Sequence, residues 1–278
     1  MFQCCGGGQS RLHVTTRLAL TNLSDNRLYL NFSQRFLFAT ALAATPLMAD
    51  TMLFKQLPLT LIVAATPRNG IGKDGALPWP MLKKEMAYFA RVTKRVPQPT
   101  NTGASHSGSW KQANVESARR NIVIMGRKTW ESIPPKFRPL RDRTNVVISN
   151  QQRNELGDIP DDVVVASSIV EGLESLEQRV KNGQALPAGR AFIIGGSSIY
   201  KAALDLPQTK SILLTRVQRD YDCDTFFPDD LSAGRSGWQR RTRQELKDFV
   251  GEDVPEYPLT DGSGEEVVSF EFQLYERP

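Results

Sequence analysis

The sequence has little of the chemistry on which disulfide frameworks, metal centres and histidine-based active sites depend. Its 278 residues include three cysteines, two of them adjacent near the N-terminus, and two histidines. So few cysteines, two of them adjacent, exclude a disulfide scaffold and a CxxC-type zinc site. Two histidines also leave few candidate residues for a histidine-based triad or metal centre. No run of 18 apolar residues occurs, which argues against a membrane-spanning helix.

Charge of one sign is not concentrated either. The chain has 35 basic and 30 acidic residues, a net charge of +5. Nucleic-acid-binding domains usually show a basic stripe or patch, whereas only short pairs such as Arg119-Arg120 and Arg240-Arg241 occur here. We therefore expect neither a nucleic acid nor a membrane as partner, and a small anionic ligand stays open.

The first 50 residues differ in composition from the rest of the chain. They contain four Arg but no Lys and no Glu, a composition typical of an organellar transit peptide. Two other interpretations stay open: a disordered tail or upstream sequence that precedes a true start at Met48 or Met52, and a secretory signal. We expect residues 1–50 to lie outside the folded domain, in a cytoplasmic protein or, with a functional transit peptide, a mitochondrial one.

From residue 57 onward the pattern is that of an α/β domain spanning residues 57–278. Short continuous apolar runs predict strands in a mostly parallel sheet that is covered on both faces, at residues 59–65, 122–125, 146–148, 163–166, 192–194 and 212–214. Helical patterns occupy residues 80–93, 127–132, 168–181 and 197–204. Residues 267–275 alternate like an antiparallel strand. The fold class is therefore a single domain with a mixed, mostly parallel sheet of about eight strands, flanked by helices, with an exposed insertion at 97–118.

A glycine-rich segment follows the first predicted strand. Gly70, Gly72 and Gly75 fall within six residues and are followed by Pro78 and Pro80. The segment does not match a Walker A loop or GxGxxG, because no helix begins there and Asp74 follows Lys73 where a hydroxyl residue is needed. It indicates either a tight turn or a loop that approaches a flat ligand closely.

The next helical pattern contains one acidic residue in an unusual place. Pro80 suits the first helical position, and Leu82, Met86, Phe89 and Val92 form an apolar stripe that encloses Glu85. Glu85 is then too far along the helix for a first-turn role. Either it reaches solvent from the edge of the stripe, or an apolar pocket raises its pKa so that it mediates proton transfer near neutral pH.

Two strand-to-helix junctions carry the signature of phosphate binding. Gly126 ends one buried strand and is followed by Arg127, Lys128 and Thr129, and Gly195-Gly196 ends another before two serines. Helix N-termini and paired glycines present backbone N–H groups to anions. Each junction alone could be a plain tight turn, but two in one sheet predict a dinucleotide lying across the carboxyl ends of the strands.

These segments together resemble dihydrofolate reductase over roughly residues 57–278, with insertions like those of fungal members. The resemblance rests on ordered motifs, namely Ile62-Val63-Ala64, Gly70-Ile71-Gly72, Leu77-Pro78-Trp79, Glu85 to Phe89, Val123 to Trp130, Arg138-Pro139-Leu140, Arg143, Ile194 to Tyr200, Thr215 and Asp224 to Pro228. It implies an oxidoreductase of one-carbon metabolism that reduces dihydrofolate to tetrahydrofolate with NADPH, acts as a monomer and binds antifolates. A pyrimidine reductase of riboflavin synthesis and a silent nucleotide- or RNA-binding module are the rival interpretations.

The resemblance also implies roles for individual residues. The catalytic group would be Glu85, with Trp79 and Thr215 beside it. The substrate would contact Ile62, Val63, Glu85, Met86, Phe89, Ile133, Leu140, Arg143, Ile194 and Tyr200. The cofactor would contact Ala64, Gly70, Ile71, Gly72, Lys73, Asp74, Gly75, Gly126, Arg127, Lys128, Thr129, Ser149, Gly195, Gly196, Ser197, Ser198, Ile199 and Tyr200. No metal is expected, and the Gly195-Gly196 peptide is expected to be cis.

Three positions depart from the family pattern. Asn150 stands where many members place an arginine against the cofactor's 2′-phosphate, so the resemblance assigns the preference for NADPH to Arg127 and Lys128. Met86 replaces a common phenylalanine, which gives the pterin a softer wall. Phe137 replaces a polar residue of the animal forms, near the expected position of the substrate's glutamate tail.

Overall fold

The computed structural model describes residues 54–97, 118–231, 237–262 and 266–278. The predictions for the extension 1–50 and for nearly all of the insertion 97–118 lie outside these residues.

Eleven strands and five α-helices make up the described part of the chain. The strands are β1 (Leu59–Ala65), β2 (Gly70–Gly72), β3 (Arg120–Gly126), β4 (Arg143–Ile148), β5 (Val164–Ala166), β6 (Ala188–Ile193), β7 (Thr209–Val217), β8 (Thr225–Phe226), β9 (Gln239–Arg240), β10 (Leu259–Asp261) and β11 (Val268–Glu276). The helices are α1 (Lys83–Lys94), α2 (Arg127–Ser132), α3 (Ile169–Lys181), α4 (Ser197–Leu204) and α5 (Arg243–Val250). Short 3₁₀ turns occupy Phe54–Gln56, Pro135–Phe137 and Arg153–Glu155.

One mixed sheet organises the fold, in the order β10-β11-β7-β1-β6-β3-β4-β5, with β9 paired to β11. The strands from β7 to β5 run parallel to their neighbours, and β11 is antiparallel to β7. The sequence-based prediction of a mostly parallel sheet with an antiparallel C-terminal strand is confirmed. The carboxyl ends of β1, β3, β4 and β6 therefore meet at one edge, where parallel α/β sheets bind ligands.

The core has a layer on each face of the sheet. Alternate residues of β1 and β3 enter opposite layers: Leu61 and Ile124 pack on the side of α3 and α4, whereas Ile62 and Val123 pack on the side of α1, α2 and α5. Because both faces are covered by helices, these strands are apolar throughout. This packing explains the continuous apolar runs in the sequence.

The predicted start of α1 at Pro80 is wrong, because the helix begins three residues later, at Lys83. Leu82 precedes it in an extended conformation, with φ −91° and ψ 96°. The backbone N–H of Lys84 donates to Asp261 Oδ2 at 2.7 Å. A carboxylate from a distant loop therefore satisfies one of the free N–H groups of the first turn, which the local sequence did not reveal.

Several short elements were missed by the sequence patterns. Helix α5 begins at Arg243 after a Thr242–Glu245 capping box and ends at Gly251, whose φ is 68°. Strands β2 and β8 pair outside the main sheet. Strand β2 has three residues and strand β8 has two. Such strands are too short for an alternation of apolar and polar residues to be recognised in the sequence.

Candidate active site

A cavity of about 1740 Å³ lies at the carboxyl ends of the parallel strands. It is lined from β1 by Ile62, Val63 and Ala64, and further residues come from α1, α2 and the segment after β6. One long cleft thus joins the helix that carries Glu85 to both glycine-containing junctions. Its position agrees with the general rule for open α/β sheets.

Glu85 projects from the first turn of α1 into the apolar part of this cavity. It is 8% exposed, and its Oε1 accepts a hydrogen bond from Thr215 Oγ1 at 3.3 Å. Burial raises the pKa of Glu85 to about 7, while the hydrogen bond from Thr215 opposes that rise. A carboxyl group in this environment can hold or release a proton near neutral pH.

The two alternatives for Glu85 are therefore resolved by its burial, and the interpretation as a solvent-reaching edge residue is wrong. Its predicted place along the helix also needs correction, because Glu85 lies in the first turn once α1 begins at Lys83. The N-terminal end of a helix favours a negative charge. The pKa of Glu85 is nevertheless raised, and burial is the largest cause of that shift.

The raised pKa of Glu85 predicts a pH-dependent cost to folding. With a pKa of about 7 in the folded chain against 4.5 ordinarily, the folded state loses stability relative to the unfolded state as pH rises from about 4.5 through 7. We expect Glu85→Gln to remove this loss. The stability of the variant relative to the parent should rise by about 2.5 kcal/mol between pH 5 and pH 8.

Urea unfolding of both proteins without added ligand, at pH 5 and pH 8, measures this difference. Glu177→Gln is the matched control, because Glu177 is also buried but pairs with Lys181 at 2.6 Å outside the cavity. An equal difference at both pH values for Glu85→Gln would contradict the assignment of the pKa shift to this residue.

Apolar side chains surround the carboxyl group of Glu85. Trp79 is 5% exposed and meets Tyr221 edge to face, with ring centroids 6.1 Å apart. Helix α1 presents two apolar faces: Tyr88 packs into the core, whereas Met86 and Phe89 line the cavity. The apolar stripe predicted for this helix therefore includes residues that pack into the core and residues that line the cavity. The cleft walls can hold a flat, partly apolar ligand against Glu85.

Arg143 also lines the cavity, and its guanidinium carbon lies 6.0 Å from the centroid of the Phe89 ring. Its Nε donates to the Arg141 carbonyl at 3.0 Å and its Nη1 to Thr93 Oγ1 at 2.8 Å. It is 8% exposed, and burial lowers the pKa of its guanidinium. No carboxylate of the described residues forms an ion pair with it. A buried, oriented guanidinium of this kind is suited to a planar carboxylate of a ligand.

The opposite end of the cleft is built from backbone. Helix α4 begins after Gly196 without a side-chain cap, and Ser197 and Ser198 line the cavity. Gly195 has φ 106°, in the region that favours glycine, and its peptide bond to Gly196 is cis as predicted. Uncapped backbone N–H groups at a helix start fit the phosphates of a nicotinamide dinucleotide.

The cavity brings together most of the predicted site residues. Those in its lining are Ile62, Val63, Ala64, Ile71, Gly72, Gly75, Trp79, Glu85, Met86, Phe89, Gly126, Arg127, Lys128, Thr129, Ile133, Leu140, Arg143, Ser149, Ile194, Gly195, Gly196, Ser197, Ser198, Ile199 and Tyr200. Thr215 lies behind Glu85, to which it donates its hydrogen bond. Tyr200 is largely buried, and its hydroxyl donates to the Ile62 carbonyl at 2.8 Å.

Three predicted cofactor residues lie outside the cavity lining of the described chain. Gly70 packs against Cys223, so that a Cβ at Gly70 would come 2.8 Å from the Cys223 Cβ. Lys73 forms an ion pair with Asp222 at 3.0 Å. The backbone N–H of Asp74 donates to Asp224 Oδ2 at 2.8 Å. These residues join the loop after β1 to the segment around β8, and their structural role explains their place in the motif.

The sequence reasoning missed several residues of the cleft. Thr93 orients Arg143 and itself donates to the Phe89 carbonyl at 2.7 Å. Met81, an apolar residue that is 74% exposed, also lines the cavity and was missed, whereas Phe137, named above for its departure from the family pattern, lines it as well and is 57% exposed. No sequence pattern marked Thr93, because a threonine at the end of an apolar stripe is common in helices that have no site.

Comparisons with known proteins agree with this geometry. The family model described as dihydrofolate reductase matches residues 114–253. A dihydrofolate reductase of Pneumocystis carinii is 39% identical over 225 residues, which are 80% of this chain and 98% of that protein. The rat enzyme is 35% identical over 224 residues, 79% of this chain and 97% of that protein. A Schizosaccharomyces pombe relative is 39% identical over 224 residues, 78% of this chain but 46% of that longer protein.

The fold and the cleft define an α/β protein whose ligand cleft lies at the carboxyl ends of its parallel strands. The chain belongs to the dihydrofolate reductase family, whose members are oxidoreductases. Among the described residues, no helix is long and apolar enough to cross a membrane.

Proposed function

We propose that this chain reduces 7,8-dihydrofolate to 5,6,7,8-tetrahydrofolate with NADPH, in support of one-carbon metabolism. The reaction transfers a hydride to C6 of the pterin and a proton to N5. The observation that carries the proposal is the pairing of two buried groups in one cleft: a carboxyl group with a pKa of about 7, Glu85, and a guanidinium without a carboxylate partner among the described residues, Arg143.

Glu85 is the residue that assists the transfer of a proton to the pterin. Its carboxyl group hydrogen-bonds the amino group and ring nitrogen of the pterin and helps protonate N5. Because its pKa lies near 7, both protonation states are populated at neutral pH, which is the condition for efficient proton transfer. Thr215 keeps the carboxyl group oriented through its hydrogen bond, and Trp79 closes the cleft beside it and limits the access of bulk water.

Arg143 and the apolar walls place the substrate. The pterin and benzoyl rings lie between Ile62 on β1 and Met86 and Phe89 on α1. The guanidinium of Arg143 then forks onto the α-carboxylate of the glutamate. Its hydrogen bonds to the Arg141 carbonyl and to Thr93 fix it before the substrate arrives, which reduces the entropy lost on binding.

The cofactor occupies the glycine-lined part of the cleft. NADPH supplies the hydride when it is bound. Gly195, Gly196 and the first turn of α4 bind its phosphates through backbone N–H groups. Ala64 and Ile71 line the cleft between this part and Glu85, and they exclude water from the place where hydride transfer takes place.

The test is the loss of NADPH absorbance by purified protein, measured with and without added dihydrofolate. We expect consumption that depends on dihydrofolate and yields tetrahydrofolate. Consumption with an aminopyrimidine substrate of riboflavin synthesis instead would support the rival reductase. Binding of NADPH without turnover of either substrate would indicate a silent nucleotide-binding module.

We further propose that residues 57–278 form the catalytic domain and that residues 1–50 are dispensable for it. The first described secondary structure begins at Phe54, and the core strand β1 begins at Leu59. A chain that starts at Met52 is expected to keep the parent's kcat and thermal midpoint. Loss of folding or of cofactor binding in that chain would contradict the proposal. A cytoplasmic location and a monomeric state stay predictions from the resemblance.

A further inference from the structure

A buried asparagine lies on the strand next to Arg143 and outside the lining of the cavity. Asn121 is the second residue of β3, and its exposure is 0%. It pairs in register with Arg143 on the neighbouring strand β4. Asn121 does not line the cavity, so any effect of this side chain on a ligand is indirect. A buried amide is costly unless its polar atoms are hydrogen-bonded, and its partners show which segments it joins.

Both polar atoms of the Asn121 amide have partners. Its Nδ2 donates to the carbonyls of Thr93 at 3.0 Å and Arg95 at 2.9 Å. Its Oδ1 accepts from the backbone N–H of Arg190 at 2.8 Å. Carbonyls can only accept and a backbone N–H can only donate, so these partners require an amide that does both. Asn121 therefore joins the end of α1 to β6, at a place where the register between β3 and β6 shifts.

The end of α1 needs donors of this kind. The last carbonyls of a helix have no partner within the helix, and α1 ends at Lys94 with Arg95 as its C-cap. Thr93 lies in this last turn and is 0% exposed, so water cannot satisfy its carbonyl. The two hydrogen bonds from Asn121 reach the carbonyls on either side of Lys94, and they fix the last turn of α1 against β3.

Thr93 connects this turn to the guanidinium of Arg143. Its hydroxyl accepts from Arg143 Nη1 at 2.8 Å and donates to the Phe89 carbonyl at 2.7 Å. Asn121 and Arg143, which are partners on neighbouring strands, therefore bind the same threonine, one at its carbonyl and the other at its hydroxyl. A displacement of the last turn of α1 would move the acceptor that orients the guanidinium.

We propose that Asn121 is a positioning residue for substrate binding, which holds the last turn of α1 so that Thr93 keeps Arg143 aligned with the carboxylate of the substrate. This role rests on the proposed function, because it assumes a substrate whose carboxylate binds Arg143. It extends the binding machinery beyond the cleft, to a side chain that touches no ligand.

Asn121→Ala leaves the carbonyls of Thr93 and Arg95 without their donor, so the last turn of α1 becomes looser. We expect KM and the dissociation constant for dihydrofolate to rise about three- to tenfold, while kcat stays within about twofold of the parent. A dihydropterin without the glutamate should bind the variant and the parent alike, because it has no carboxylate for Arg143. Titrations followed by tryptophan fluorescence measure both dissociation constants.

The double variant Asn121→Ala/Thr93→Val separates this role from general support of the fold. Valine has a similar shape to threonine but no hydroxyl, so Thr93→Val by itself breaks the link to Arg143 and should weaken dihydrofolate binding. If Asn121 acts through Thr93, the double variant binds dihydrofolate no more weakly than Thr93→Val alone. Thr93→Ser keeps the hydroxyl and should keep the parent's affinity. Losses that multiply in the double variant would overturn the proposal.

Hydrogen exchange at the Arg143 Nε–H, followed by NMR without ligand, tests the same link independently of the reaction. This N–H donates to the Arg141 carbonyl at 3.0 Å, and its exchange should be about three- to tenfold faster in Asn121→Ala. Thr209→Val is the matched control, because the buried Thr209 hydroxyl donates to the Ala203 carbonyl outside the cavity lining. The control should lower the thermal midpoint and leave both the exchange and the dihydrofolate affinity unchanged.

Asn121→Ser is the milder variant and gives the same test if Asn121→Ala does not fold. Its hydroxyl supplies one donor for two carbonyls, so its affinity for dihydrofolate should lie between those of the parent and Thr93→Val. Parent-like exchange or parent-like dihydrofolate affinity in a folded Asn121 variant would overturn the proposal. Failure of the proposed function would show instead as no dihydrofolate-dependent turnover in the parent, whereas the exchange measurement contains no ligand.

Discussion

Glu85→Ala is expected to reduce dihydrofolate turnover at neutral pH by about 10²- to 10⁴-fold, the range that a positioned acid or base contributes. The carboxyl group is 8% exposed, and the variant would lose both the partner of the pterin amino group and the proton path to N5. Binding of NADPH should stay almost intact, because the proposed contacts to its phosphates come from Gly195, Gly196 and the first turn of α4 and not from Glu85.

The pH dependence of the variant gives the sharper result. In the parent, the pKa of Glu85 is about 7, so the protonated form declines as pH rises through 7 and the rate should decline with it. In Glu85→Ala, the substrate can take its proton only from water, so the rate should recover partly as pH falls. Glu85→Asp keeps an acid one methylene shorter and should be less impaired than the alanine variant.

A pH–rate series on the parent and the three Glu85 variants (Ala, Asp and Gln) measures this. Glu177→Gln should retain the parent profile, because that buried acid lies outside the cleft. Turnover by Glu85→Ala within a few-fold of the parent at neutral pH would refute the role, whatever the family membership implies.

Arg143→Lys is expected to weaken dihydrofolate binding by about 10- to 100-fold while the rate of hydride transfer in the saturated enzyme changes little. Lysine keeps the charge but loses the planar fork that matches a carboxylate. It also loses the pair of hydrogen bonds to the Arg141 carbonyl and to Thr93 that fix the side chain. An interaction made equally in ground and transition states affects KM rather than kcat.

Comparison of two substrates isolates the carboxylate. A dihydropterin that lacks the glutamate should bind the parent and Arg143→Lys alike. Arg190→Lys is the matched control, because burial lowers the pKa of the Arg190 guanidinium as well and Arg190 donates to the Phe249 carbonyl at 2.5 Å, but it does not line the cleft. Equal losses of affinity for both substrates in Arg143→Lys would show damage to the fold instead.

Local patterns predicted the main architecture well. The bounds of β1, α2 and α4 agree with the predicted ranges 59–65, 127–132 and 197–204, because continuous apolar runs and glycine-marked strand ends carry that information in adjacent residues. Helix α5 was missed despite its capping box, because its eight residues are fewer than the window over which a helical period can be recognised. The start of α1 was misplaced because its first turn is capped by Asp261 from far along the chain.

The sequence by itself determined the α/β class, the order of the longer core strands and of four of the five described helices, and the two glycine-lined junctions, because each depends on residues within a few positions of one another. Only the tertiary structure decided the state of the charged groups. Whether Glu85 is buried depends on what packs over α1, and the orientation of Arg143 depends on Thr93, which lies 50 positions away in the chain. Arg127 and Glu131 are near neighbours in sequence, yet only their geometry shows that one engages the other at the edge of the cleft. The free energy of a charged group depends on its exposure to solvent and on the groups near it in space. The pattern of residues along the chain does not show either of these.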